Sequence, residues 1–295
     1  MAIEFISGST AEVEENVSTS IYTAQVTDTN ESGGSISFEL GEGSDPGLTI
    51  DPETGIVTVS NGLDYETKSS YSFTVIATNE SGDSSEIQVT INVTNLDEAD
   101  PTITSADLVS VNEGIGSDQV VYTATATDGN DISGGVVYSL AEGSDSVLSI
   151  DANSGAVTLT DDPDASTKDT YTFTVVATDA AGNSVSEDVT LRINRIVSGT
   201  EGNDTIANTS SNDVVSAGKG ADVFSYSGNY DDYNVSLIAG GSVRVVNLAS
   251  PSEVDVLSGF ESLQFADRTI NIQIVYTAGE DILVNTQTSD TQYRS

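Results

Sequence analysis

Apolar and polar residues alternate in short runs along most of the chain. Tyr71, Phe73, Val75 and Ala77 fall on one face of an extended segment, and Ser72 and Thr74 fall on the other. Ile87, Val89, Ile91 and Val93 repeat the pattern. Farther on, Val235 and Leu237, Val243 and Val245, Leu263 and Phe265, and Ile270, Ile272 and Ile274 alternate in the same way. Turn-forming clusters separate the runs: Ser32-Gly-Gly34, Asp45-Pro-Gly47 and Glu80-Ser-Gly82. No stretch carries a helical period. The pattern predicts an all-β protein whose Tyr, Phe, Val and Ile positions form cores.

The runs occur in two copies, 100 residues apart. Leu40, Glu42, Gly43, Ser44 and Asp45 recur as Leu140, Glu142, Gly143, Ser144 and Asp145. Tyr71-Ser-Phe-Thr-Val-Ile-Ala-Thr78 recurs as Tyr171-Thr-Phe-Thr-Val-Val-Ala-Thr178. The register holds without a gap from Phe38 to Asn95 and shifts by one or two residues before Phe38. A copy of about 100 residues with roughly seven strands predicts a β-sandwich. The expected domains are residues 1–97, 98–197 and 198–295.

Between the copies lies Val93-Thr-Asn-Leu-Asp-Glu-Ala-Asp-Pro101. Pro101 forces the residue before it out of the helical region, so the stretch is extended. Its acids repel one another unless a hard, oxygen-seeking cation such as Ca²⁺ neutralises them. Composition sharpens this picture. The 47 acidic residues against 8 basic ones give a net charge of −39, which repels nucleic acid and anionic membranes. The excess acid has two readings, plain solubility or Ca²⁺ binding. With no cysteine and no histidine, thiolate and imidazole metal sites and every Cys- or His-based catalytic arrangement are excluded. No run of about 18 apolar residues exists to span a membrane. Met1-Ala-Ile-Glu4 has no basic and apolar leader and is expected to begin an excised fragment.

Several segments resemble the cadherin repeat in its bacterial form. Val13-Glu-Glu-Asn16 is similar to its Glu-Asn start, and Leu63-Asp-Tyr-Glu66 to its Leu-Asp-x-Glu segment. Val75-Ile-Ala-Thr-Asn79 and Val175-Val-Ala-Thr-Asp179 resemble its Val-x-Ala-x-Asp strand, and Thr127-Asp-Gly-Asn130 its Asp-x-Asp loop. Leu48-Thr-Ile-Asp-Pro-Glu-Thr-Gly55 fits the related dystroglycan-type module equally well. The resemblance covers about residues 3–197 and implies two tandem cadherin-like Greek-key β-sandwiches with Ca²⁺ at the joint. Carried over position by position, it implies ligands Glu15, Asp64 and Glu66 from the first repeat. It adds Asn95, Asp97 and Glu98 from the linker, and Asp128, Asn130 and Asp179 from the second repeat. The second repeat keeps Glu113 and Asp164, but Pro163-Asp-Ala-Ser166 lacks the glutamate and Asn194-Arg-Ile-Val197 carries no acid. The second joint is therefore expected to lack the ion cluster, and to be either more flexible or held by direct packing.

From Gly199 three nonapeptides run on, placing Asp204, Asp213 and Asp222 nine residues apart, as are Ile206, Val215 and Phe224. They resemble the RTX repeat Gly-Gly-x-Gly-x-Asp-x-U-x, which implies a short Ca²⁺-binding β-roll at the start of a third β domain. The run is degenerate: Ser211 stands at a glycine position and the second repeat begins with Asn208. Alternate turns stack in such a roll, so Asp204 and Asp222 are expected to share one ion while Asp213 has no partner turn. Residues 276–295 are polar and read as a tail or a severed connection.

Together the resemblances imply a Ca²⁺-stabilised stalk segment of a secreted bacterial RTX adhesin, exported by type I secretion to the cell surface and active in biofilm. Its partners would be adjacent domains of a larger adhesin and a glycan or protein on a host or neighbouring cell. It would be a monomer, with no nucleic acid and no membrane insertion. The competing reading is a carbohydrate- or peptide-binding module, with Tyr226, Tyr230 and Tyr233 as a stacking surface. Hydrolysis by paired carboxylates has no support, because nothing places a raised-pKa acid in a pocket. The chain is not expected to be an enzyme.

Overall fold

The computed structural model describes residues 3–29, 34–129, 132, 134–275 and 282–287. The described residues are strands and turns, with a single 3₁₀ turn at Tyr230–Asp232. They cluster into two compact units: residues 1–99 with 129–134, and residues 100–128 with 135–295.

The first unit is a sandwich. β1 (Ile3–Phe5), β2 (Thr10–Glu14), β3 (Ser20–Thr23), β4 (Val26–Asp28), β5 (Ile36–Leu40), β6 (Leu48–Ile50), β7 (Ile56–Val59), β8 (Ser70–Asn79) and β9 (Ser84–Thr94) come in that order. One sheet runs β2-β9-β8-β5, the facing sheet β3-β7-β6, and β1 pairs with β4. β2 lies parallel to β9, with Val13 opposite Val93, and the other pairs are antiparallel. Period-2 alternation turns Tyr71, Phe73, Val75 and Ala77 inward, where all are buried. The Tyr22 ring meets Phe73 edge-on at 5.7 Å, a favoured geometry for two ring quadrupoles.

The second unit opens with a second sandwich. Its strands are β10 (Thr102–Ile103), β11 (Leu108–Asn112), β12 (Gln119–Thr123), β13 (Ala126–Thr127), β14 (Val137–Leu140), β15 (Leu148–Ile150), β16 (Ala156–Leu159), β17 (Thr170–Thr178) and β18 (Ser184–Ser198). Tyr122 and Phe173 reproduce the edge-on ring pair at 5.5 Å. β18 differs from its counterpart β9 by running on. Residues up to Asn194 pair with β11 and β17, whereas Arg195–Ser198 pair with Asp213–Ser216. Ile193 joins the second core and Val197 packs against the third.

That third region contains β19 (Thr205–Ala207), β20 (Asp213–Ser216), β21 (Val223–Ser225), β22 (Tyr233–Ile238), β23 (Ser242–Asn247), β24 (Ser250–Ser258), β25 (Ser262–Gln264), β26 (Thr269–Val275) and β27 (Ile282–Gln287). β18, β20 and β24 form one parallel ladder, and β19, β21 and β25 form another. The chain thus winds through three coils, with the antiparallel hairpin β22–β23 inserted between the second and third. Tight stacking of the turns requires glycine. Gly218 has φ +98°, and a Cβ there would lie 2.1 Å from the Thr200 carbonyl oxygen. The stretch 276–295 departs from the expected tail at Ile282–Gln287, which pairs with β26 because Ile282, Leu283 and Val284 continue an extended apolar run. Residues 276–281 and 288–295 lie outside the described residues.

Candidate functional site

In the first unit three glutamates converge at the end of the sandwich that leads into the linker. Glu15, Glu66 and Glu98 each bring a carboxylate oxygen within 4.8 Å of the other two. Glu15 is the pivot, 2% exposed. Its Oε2 accepts the Tyr65 N–H at 2.9 Å and its Oε1 the Leu96 N–H at 2.7 Å. One carboxylate thereby ties together β2, the Leu63–Glu66 segment and the linker. The next residue makes the turn: Asn16 adopts φ 65°, a left-handed conformation that asparagine tolerates. Its side-chain amide donates to Glu98.

The second repeat keeps this device. Glu113 Oε2 accepts Ala165 N–H and Oε1 accepts Ile196 N–H, and Gly114 takes the left-handed position. Among the described residues no equivalent glutamates gather on Glu113, since Ser166 and Ser198 stand where Glu66 and Glu98 stand in the first repeat. Asp64 does not join the first cluster. Its two oxygens accept the Thr67 N–H and hydroxyl, and Asp164 caps the same turn through Ser166 and Thr167.

At the other end of the second sandwich, Asp128 and Asp179 bring carboxylate oxygens within 4.8 Å of each other. Their counterparts in the first repeat are Asp28 and Asn79, and there the Asn79 amide donates to Asp28 at 2.9 Å. One change, amide to acid, turns a self-satisfied hydrogen bond into two facing carboxylates. Like charges so close require a proton or a cation. Burial pushes Asp179 up. Bonds from the Asn183 side chain and the Gly182 and Asn183 backbone outweigh this and leave it below the ordinary carboxylate range. Asp179 therefore keeps its charge.

Asn95 and Asp97 are half-buried in the linker, and Asp97 Oδ1 accepts the Ala99 N–H. Asn130 lies outside the described residues. The donor set is all oxygen, and a chain without cysteine or histidine offers no thiolate or imidazole ligand. Such sites suit Ca²⁺.

The three-coil region stacks its turns in two carboxylate columns. On one edge the Asp204 N–H donates to Asp222 Oδ1 and the Asp222 N–H to Glu261 Oε2. Asp222 is fully buried and its Oδ2 has no hydrogen-bond partner. On the other edge the Asp213 N–H donates to Asp255 Oδ1. Asp213 does have partner turns, contrary to the sequence expectation: Arg195 precedes it and Asp255 comes after it in the stack. The third coil escapes nonapeptide counting because the inserted hairpin separates it. The signal left in the sequence is Asp255-Val-Leu-Ser258, which repeats Asp213-Val-Val-Ser216.

The three tyrosines do not form the stacking surface of the competing reading. Tyr226 is 4% exposed, stacks on Phe265 at 5.1 Å and donates to Asp255 Oδ2 at 3.0 Å. Tyr230 and Tyr233 pack against the same core. All three rings meet Phe265, with centroids 5.1, 5.2 and 5.5 Å away, inside that core.

Comparison with known proteins gives the class. The cadherin domain model matches residues 9–94 and 107–194, more than half of the chain. Human Cadherin-23 is 29% identical over 170 residues, spanning 55% of this chain and 5% of that protein. Cadherin-related family member 1a of Danio rerio is 31% identical over 167 residues, spanning 51% and 20%. The crystal structure of human Protocadherin-24 EC1-2 superposes with a TM-score of 0.50 at 19% identity, over 65% of this chain and 97% of that one.

The chain belongs to the cadherin domain family, through two tandem domains. This is an extracellular, non-enzymatic adhesion family whose tandem domains bind Ca²⁺ between them. The chain spans only a small part of the length of the curated relatives it matches.

Proposed function

We propose that this chain is a Ca²⁺-stabilised structural segment, an extender or stalk, of a secreted bacterial RTX adhesin, positioning a ligand-binding module away from the cell. The observation that carries the calcium reading is the buried Glu15 pivot with Glu66 and Glu98 gathered on it. The facing Asp128 and Asp179 supply a second oxygen-rich pair. Asn95, Asp97 and Asn130 complete the ligand set by their place in the sequence. Family membership supports adhesion. The RTX assignment rests on the nonapeptide spacing and on the parallel coils that carry it, with Asp204 and Asp222 as a further ion position. The unpartnered oxygen of Asp222 supports that position.

The ion's contribution is electrostatic. It neutralises carboxylates that otherwise repel and so stiffens the linker that bears them. Calorimetric titration of the full chain should show Ca²⁺ binding in the range of roughly 10⁻⁴–10⁻³ M typical of extracellular modules. Absence of binding at millimolar Ca²⁺ would sink the reading. Small-angle scattering should report a narrower spread of dimensions in Ca²⁺ than in chelator, and identical profiles would remove the stiffening role.

A further inference from the structure

The two repeats end in the same backbone but continue with different chemistry. Thr94 is followed by Asn95-Leu-Asp-Glu98, whereas Asn194 is followed by Arg195-Ile-Val-Ser198. Arg195 thus stands where the first repeat has Asn95. Its Nε donates to Asp213 Oδ1 at 2.6 Å and its Nη2 to the Ala207 carbonyl oxygen at 3.2 Å. Asp213 is fully buried, and Thr209 donates to it from both its backbone N–H and its hydroxyl. Two more buried acids share this edge: Asp255, and Glu253, which the Asn208 and Asn247 amides hold. Around the guanidinium the acceptors are carboxylate and carbonyl oxygens, the ligand types that a hard cation takes.

An amide ladder runs across the same strands. Asn194 donates to Asn112 Oδ1, Asn212 donates to Asn194 Oδ1, and the Val254 N–H donates to Asn212 Oδ1. This ladder fixes β11, β18, β20 and β24 in register, so the guanidinium meets Asp213 without a mobile linker.

We infer that Arg195 is a built-in cation that takes the place of a dissolved ion at the junction of the second repeat with the third domain, and so makes that junction independent of external calcium. A buried carboxylate that keeps its charge needs a partner charge. Here it comes from the chain itself, where it cannot be chelated. The built-in charge stands apart from the calcium chemistry of the first joint, because its test reads only amides of β18 and β20.

The test is hydrogen exchange on the full chain, measured at residues 195–198 and 213–216 in Ca²⁺ and in chelator. Wild type should show the same protection in both. Arg195→Asn should lose on the order of 100-fold protection in chelator. It should regain at least roughly tenfold when Ca²⁺ is added, as the vacated oxygen site takes an ion. Arg195→Lys should keep most of the protection in chelator. Adding Asp213→Asn to Arg195→Asn should restore protection in chelator and abolish the calcium response. Loss of wild-type protection in chelator, or an Arg195→Asn variant indifferent to Ca²⁺, would overturn the inference. Should Arg195→Asn not fold, the double variant decides. Wild-type-like protection supports the built-in cation, and failure to fold overturns it.

Discussion

At the residue scale, the two repeats act as controls for each other. Glu15 and Glu113 accept equivalent pairs of backbone N–H groups, but only Glu15 gathers two further glutamates among the described residues. Glu15→Gln should therefore weaken calcium binding roughly tenfold or more in calorimetric titration. Glu113→Gln should leave calcium binding unchanged and cost about 1–3 kcal/mol of stability, in Ca²⁺ and chelator alike. Asp179→Asn, which installs the first repeat's amide, should form the hydrogen bond to Asp128 and remove one calcium-binding event. An unchanged stoichiometry would argue that the pair holds no ion. Asp255 gives a pH signature. Burial, helped by the nearby Asp213 and Glu253 charges, outweighs the hydrogen bonds from the Asp213 N–H and the Tyr226 hydroxyl and raises it to about 7 from an ordinary value of 3.8. A raised folded-state pKa contributes stability that is present below about pH 4 and is lost as pH rises through about 7. The wild-type minus Asp255→Asn difference should thus fall with pH across that window, at up to about 1.4 kcal/mol per unit, and flatten above it. Urea melts at several pH values check this.

At the element scale, β18 decides how the second repeat is joined to the coiled region that follows it. Its counterpart β9 stops at Thr94, and an acidic linker takes over. β18 continues to Ser198, placing Ile193 in one core and Val197 against the next. Of the two outcomes expected for this joint, flexibility or direct packing, the strand delivers packing. Charge explains the difference: Asp97 and Glu98 cannot enter a core, while Val197 and Ser198 can sit in a ladder. Ile193→Ala should cost about 2–5 kcal/mol, and the third region should lose stability with the second repeat. Scanning calorimetry in chelator should show the second repeat and third domain melting in one transition. Separate melting of the two would contradict a shared strand.

At the scale of the whole molecule, composition and pattern determined a great deal. Period-2 alternation fixes which face of each strand is buried, because side chains must point to opposite sides of a pleated backbone. The 100-residue repeat, the two sandwiches and the glutamates near the joint were therefore legible from residue types and spacing alone. What the sequence could not decide were the pairings made across long separations. Tyr226, Tyr230 and Tyr233 would serve as a stacking surface in the competing reading, but their rings gather on Phe265, more than 30 residues away, in the core. Asp213 lacked a partner until the chain returned, 42 residues later, with Asp255. Arg195 read as the loss of an acid, and only its seat against buried Asp213 makes it a cation in its own right. Local periodicity is set by neighbours along the chain. Charge pairing and burial depend on which distant strand arrives alongside, and only the tertiary structure decides that.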